Sequence, residues 1–216
     1  MKELRDIKGD WFSQFHLGHE EPGQRNWLDE TEQSLGGDSN EVLYYFNEYR
    51  YRGTICPGLG VDASFGCSHA MGYGVQTPYA DIIEYANLGI CGISNDAIVR
   101  MAYTYCEAFK PKNIVVLWTI PSRREHVTED GQLTGYRYER KNTDQPSIDY
   151  TSLQNDKVDE YNYIKNSLFL TQYCVVNNIN LQQYLFEDND FQARDGLHPG
   201  AVWHINMASR ILDDKL

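Results

Sequence analysis

The sequence predicts an α/β fold: a mostly parallel sheet of about five strands, covered by helices on both faces to make three layers. Three observations carry this expectation. From residue 60 onward, short apolar runs alternate with segments whose apolar residues recur at helical spacing. The run Asn113-Ile114-Val115-Val116-Leu117-Trp118 is almost continuously apolar, as a strand buried on both faces must be. Strands separated by helices are joined by crossovers of one hand, and such crossovers leave neighbouring strands parallel.

Taken in order, residues 60–65 read as the first buried strand, running into a glycine-containing turn and a helix. Residues 82–87 read as a second strand. Over 95–109, Ala97, Ile98, Met101, Ala102, Tyr105 and Phe109 share one helical face, and Pro111 follows the end. The third strand is 113–118. Residues 126–151 are polar, carry Asp130-Gly131 and lack apolar periodicity. They read as a long loop or hairpin over one edge, of the kind that often forms a lid. Residues 158–177 read as a helix whose inner stripe is Val158, Tyr161, Ile164, Leu168 and Val175. Residues 179–186 supply the next strand. Residues 201–212 supply a terminal helix, with Pro199 near its first turn as helix starts prefer.

Residues 1–54 do not share this alternation. They read as an N-terminal extension packing Trp11, Phe12, Phe15, Trp27, Tyr44, Tyr45 and Phe46 against a core domain of residues 55–216. Within it, Glu21-Pro22-Gly23-Gln24 reads as a loop and 41–51 as a helix.

A chain of 216 residues suits one domain with a sizeable core and an appendage. Hydrophobic residues at 41% and aromatics at 13% exclude the disordered class. The formal net charge of -12 argues against nucleic acid and anionic membrane surfaces as partners. No apolar run reaches transmembrane length, and Met1-Lys2-Glu3-Leu4-Arg5-Asp6 is too polar for a secretory signal. Cys56, Cys67, Cys91, Cys106 and Cys174 form an odd set without paired spacing, which reads as free thiols in a reducing, cytoplasmic setting. His16 and His19 have a ligand-like gap, but no second pair completes a zinc site, so no metal is expected.

The chemistry centres on Phe65-Gly66-Cys67-Ser68-His69-Ala70-Met71-Gly72-Tyr73-Gly74. A serine at a strand-to-helix turn is held at the carboxyl end of a sheet, where backbone N–H groups can face an oxyanion. A nucleophilic serine also needs a base. The best one lies in Asp195-Gly196-Leu197-His198-Pro199-Gly200. The three-residue spacing lets the Asp195 carboxylate accept the His198 Nδ1 proton and turn Nε2 toward Ser68. Bland readings stand beside these: Asp195 as a turn or helix cap, His198 as a loop histidine, His69 as a first-turn surface residue. His204 reads as structural or as a rim contact. Cys67 is a possible rival nucleophile, but a buried cysteine is usually small, apolar and raised in pKa.

These blocks resemble those of the SGNH (GDSL-like) hydrolases. Gly66-Cys67-Ser68 stands for the family's Gly-Asp-Ser block and Asp195-Gly196-Leu197-His198-Pro199 for its Asp-x-x-His pair. Asn87-Leu88-Gly89-Ile90-Cys91-Gly92-Ile93-Ser94-Asn95 is similar to its second block. The likeness spans residues 55–216 motif by motif. It implies a flavodoxin-like three-layer sandwich, Ser68 as nucleophile, His198 as base and Asp195 as its orienting acid. It further implies oxyanion donors from the backbone N–H groups of Ser68 and Gly92, and no cofactor. The implied substrate is a carboxylic ester, such as an acyl or acetyl group on a carbohydrate.

Two departures matter. Cys67 stands where the family has aspartate, and Trp118-Thr119-Ile120-Pro121-Ser122-Arg123-Arg124-Glu125 lacks the asparagine of the third block. Thr119 or one of Arg123 and Arg124 stands in as donor. Alternatively, the arginines bind an anionic substrate, with His69 as a further substrate contact, or pair with Glu125. The departures keep a second expectation open, a catalytically silent relative that binds a glycan or a protein partner. Gly37-Asp38-Ser39-Asn40 spells the family block literally, but the polar Glu30-Thr31-Glu32-Gln33-Ser34 precedes it. Asp38 and Ser39 there read as a turn and a helix N-cap. Nucleotide-binding folds are not indicated, since neither G-x-G-x-x-G nor G-x-x-x-x-G-K-[ST] occurs.

Overall fold

The structure, a computed structural model, describes residues 22–26, 43–127, 133–136, 155–185 and 198–215. The expectations for Trp11, Phe12, Phe15, His16, His19, Trp27, the Gly37–Asn40 motif and Asp195 lie outside those residues.

Four parallel strands form the central sheet among the described residues, in the order β4-β3-β5-β8. They are β3 (Ala63–Gly66), β4 (Ala86–Gly89), β5 (Asn113–Trp118) and β8 (Asn180–Leu185). This is one strand fewer than expected. β1 (Gly23–Asn26) and β2 (Leu43–Phe46) form a separate antiparallel pair, as do β6 (Arg124–Val127) and β7 (Leu133–Tyr136). The hairpin of β6 and β7 answers the loop-or-hairpin reading for its described part.

Among the described residues, five helices accompany them: α1 (Ser68–Met71), α2 (Tyr79–Ile82), α3 (Asn95–Phe109), α4 (Asp156–Val176) and α5 (Ala201–Asp213). Strand alternation sorts them into two layers. Ala63, Phe65, Ile114, Val116 and Trp118 pack with α3 and with Leu170 and Cys174 of α4. The alternate residues Val115, Leu117 and Tyr184 pack with Ala70 of α1, with Tyr79 and Ala80 of α2, and with Met207, Ala208 and Ile211 of α5. The sheet is therefore covered on both faces.

The face switch follows from the order of the strands. The chain steps from β3 outward to β4, then returns across β3 to β5. With crossovers of one hand, a connection running the opposite way must put its helix on the opposite face. The order thus reverses between β3 and β5, and the crevice beyond their carboxyl ends is where α/β sheets of this kind hold ligands.

Several elements differ from the sequence reading. The strand expected at 82–87 begins at Ala86, because Pro78 starts the one-turn helix α2 and Glu84 then turns at φ 58. The helix expected at 41–51 is the strand β2, whose Tyr44 and Phe46 alternate inward while Leu43 and Tyr45 face out. The loop expected at Glu21–Gln24 enters β1 at Gly23. Pro199 sits outside α5, whose N-cap is Gly200.

The stripe expected on α4 is reversed. Val158, Tyr161, Ile164, Leu168 and Val175 are all exposed, while Asn162, Asn166, Leu170 and Cys174 face inward. The two asparagines donate to Asp96 Oδ1 at 3.1 and 2.9 Å, so a polar bond rather than apolar periodicity sets this face.

β2 and the residues after it do more than cover the core. Tyr44 and Phe46 pack on Met71 and Tyr73. The Arg52 guanidinium lies 3.9 Å over the Tyr44 ring and donates to the carbonyls of Met71, Gly72, Val75 and Gln76. The loop leaving α1 is thereby tied down along its whole length.

Candidate active site

Ser68 is the first residue of α1, at the end of β3 and beside the strand-order reversal. Two glycines let the backbone pack there. A Cβ on Gly66 would lie 2.5 Å from Ala70 Cβ and 2.7 Å from the Leu117 carbonyl oxygen. A Cβ on Gly89 would lie 2.3 Å from the Met71 nitrogen. The Ser68 turn is wedged between the ends of β5 and β4, and only glycine permits that approach. α1 then stops at Gly72, which is left-handed at φ 81.

His198, from the segment before α5, reaches this turn. Its Nε2 lies 3.0 Å from Ser68 Oγ. The same hydroxyl is 3.9 Å from Cys67 Sγ, so the histidine is the far better hydrogen-bond partner. The imidazole rests against Tyr73, with ring centroids 4.7 Å apart, and against His69 at 5.3 Å. Since Arg52 and Tyr44 hold the Tyr73 loop, residues 44–52 also steady the His198 ring. Tyr73 was not among the expected site residues; its position one turn beyond the serine carries no distinctive signal.

Cys67 behaves differently from the expectation. It is buried, and burial by itself raises a thiol pKa. Yet the imidazole and backbone N–H of His69 and the Thr119 hydroxyl face the sulfur, and together they bring its pKa down to about 6. His69 Nδ1 is 3.5 Å from Cys67 Sγ. His69 is thus a partner of the cysteine beside the nucleophile, not a simple surface residue.

Thr119, at the end of β5, is 2% exposed. Its backbone N–H donates to Asn95 Oδ1 at 2.9 Å, and its carbonyl accepts from Asn95 Nδ2 at 3.2 Å. Its hydroxyl accepts from Arg123 Nη1 at 2.9 Å, leaving the proton for Cys67. The Thr119 backbone N–H is thus engaged by Asn95, while its hydroxyl keeps its proton. Asn95, buried at the start of α3, is the residue that sequence reasoning missed here; Ser94 beside it is the N-cap and accepts from Ala97 N.

The two arginines part ways. Arg124 pairs with Asp159 at 2.9 Å and also donates to the carbonyls of Pro121 and Val158. It belongs to the packing of α4, not to the site. Glu125 pairs with Arg100 at 2.6 Å rather than with either neighbour. Arg123 instead points to Thr119. Gly92 lies in the turn after β4, exposed and at φ 76. His204 is fully buried, stacked on Tyr79, and accepts from Tyr79 N at 3.1 Å; burial lowers its pKa to about 3. It is structural and neutral.

No family model, curated protein or solved structure matches the chain. The site must be read from its own geometry. Among the described residues, no three His, Cys, Asp or Glu side chains gather as a metal set. No described helix is long and apolar enough to cross a membrane.

Proposed function

We propose that this protein is a serine esterase of SGNH type on a flavodoxin-like scaffold, hydrolysing a carboxylic ester such as an acyl or acetyl group on a carbohydrate. One observation carries the reading: His198 Nε2 stands 3.0 Å from Ser68 Oγ beside the sheet's strand-order reversal. That is the nucleophile–base contact such chemistry requires.

In this mechanism Ser68 Oγ attacks the ester carbonyl carbon while His198 Nε2 takes its proton. The negative charge goes to the carbonyl oxygen, for which the backbone N–H groups of Ser68 and Gly92 are the candidate donors. Collapse of the tetrahedral species breaks the bond to the alcohol, and the imidazolium returns a proton to that leaving oxygen. Water, deprotonated by His198, then releases the acid from the acyl-serine and restores both groups. Asp195 is the proposed orienting carboxylate for Nδ1. The free thiols suit a reducing, cytoplasmic setting.

A second reading, a silent relative that binds a glycan or a protein partner, is favoured by Thr119. The residue nearest in sequence to the family's third-block asparagine already has its backbone N–H engaged by Asn95. Losing one oxyanion donor costs about 100- to 1000-fold in turnover. Hydrolysis of p-nitrophenyl acetate by the wild type, Ser68→Ala and His198→Ala separates the two. Turnover that vanishes in both variants supports the esterase; equal rates in all three support the binding protein.

A further inference from the structure

Among the described residues, no carboxylate meets the guanidinium of Arg123. Arg123 is 7% exposed, as is Ser68. Its one side-chain hydrogen bond runs from Nη1 to Thr119 Oγ1. Among the described residues, its Nε is buried with no partner. A buried donor left unmade is costly, and a buried charge without a counterion more so. Arg100 and Arg124 have their acids, and the buried Arg52 spends its guanidinium on four carbonyls, whereas Arg123 Nε has neither.

Two features say what is missing. The Nη1–Thr119 bond fixes one corner of the guanidinium, leaving the Nε–Nη2 edge as a parallel pair of donors. That edge is the fork that fits a carboxylate in bidentate fashion. The fixed corner also locates it. β5 lies beside β3 with Leu117 opposite Gly66, so Thr119 and Ser68 each stand two residues beyond that pair, at the same end of the sheet. The open edge is thus held at the sheet end that carries Ser68.

Resting on the esterase reading for the role of Ser68, we propose that Arg123 recognises a carboxylate on the substrate, so that the preferred ester carries a fixed negative charge close to its scissile carbonyl. A transient oxyanion is the less suitable occupant, because it leaves the charge unpartnered through the whole of substrate binding. A carboxylate satisfies Nε and the charge together in the ground state.

The test is binding to Ser68→Ala protein, which needs no turnover. Monomethyl succinate and 3-acetoxybenzoate are titrated beside their neutral counterparts, dimethyl succinate and 3-methylphenyl acetate. The expected result is that at least one of the two acids binds at least tenfold more tightly than its neutral counterpart. Adding Arg123→Gln should abolish that preference, while Arg123→Lys, which keeps the charge but loses the fork, should retain part of it. Acids and neutral esters binding equally well to Ser68→Ala would overturn the proposal. So would a preference that survives in Arg123→Gln. If Arg123→Gln does not fold, the lysine variant decides: an undiminished preference there contradicts the bidentate fork. Should the wild type hydrolyse nothing, the esterase reading falls, yet an Arg123-dependent preference for the acids would still stand.

Discussion

His198 Nε2 and Ser68 Oγ are 3.0 Å apart although 130 positions separate them in the chain. Ser68 is set by the wedge of Gly66 and Gly89, His198 by its packing on Tyr73. The two supports are joined, since the Tyr73 N–H donates to the Ser68 carbonyl at 3.0 Å, so one turn of chain holds both partners in place. The predictions below follow from those contacts.

Gly89→Ala should damage the site more than the fold. The added methyl would sit 2.3 Å from the Met71 nitrogen, backbone that cannot swing aside. α1 must move away, carrying Ser68 from His198. A misplacement of about 1 Å can cost about 100-fold in rate. The expected outcome is a kcat/KM loss of that order with a folded far-UV spectrum. Unchanged turnover would mean the wedge does not position the serine.

Cys67→Ala should destabilise the protein in a pH-dependent way. The folded thiol titrates near 6, below its ordinary value of 9.0, so the folded state favours the thiolate. Between those values the unfolded chain binds the extra proton, and stability rises with pH. The contribution is complete above about pH 9 and is lost as pH falls through 6. Urea unfolding should therefore show a larger gap between wild type and variant at pH 8.5 than at pH 5.5. A constant gap would assign Cys67 a purely apolar role.

His204 should contribute to acid sensitivity. Its folded pKa of about 3 lies below the ordinary 6.5, so the unfolded chain takes up a proton first as pH drops. Stability from neutral His204 is full above pH 6.5 and declines toward pH 3. His204→Phe leaves Tyr79 N–H without its acceptor, costing about 1–3 kcal/mol at pH 7. The variant's deficit should narrow by pH 4.5, where the wild type loses ground and phenylalanine does not. A deficit that widens with acid would contradict this.

Asp96→Ala should cost more than Leu168→Ser, the reverse of what hydrophobicity suggests. Removing the carboxylate strips both Asn162 and Asn166 of their acceptor, about 2–3 kcal/mol at the larger end for a buried charged partner. Leu168 is 63% exposed, and a surface change away from special features stays within about 0.5 kcal/mol. Chemical denaturation of the two variants checks the order.

That contrast shows where the sequence was legible. α3 and β5 were read at their observed bounds, because a one-face stripe, a following proline and a continuous apolar run are local signals. α4 was found as a helix but turned the wrong way. Its docking depends on asparagines meeting an aspartate about seventy positions away, which periodicity cannot register. β2 was mistaken for a helix because its four residues are too short to separate a period of two from one of 3.6. At the site, the Ser68–His198 pairing followed from residue type and motif. The engagement of Thr119 by Asn95, and the diversion of Arg124 to Asp159, depend on neighbours brought together only by the sheet.

The most direct test of the Ser68–His198 pair is covalent. A fluorophosphonate is attacked only by a serine whose proton can be taken, and the adduct stays on Oγ. Intact-mass and peptide analysis of treated protein should show a single adduct on the peptide containing Ser68. Labelling should be absent in Ser68→Ala and at least 100-fold slower in His198→Ala. An adduct on another residue, or labelling of Ser68 at the same rate without His198, would contradict the account.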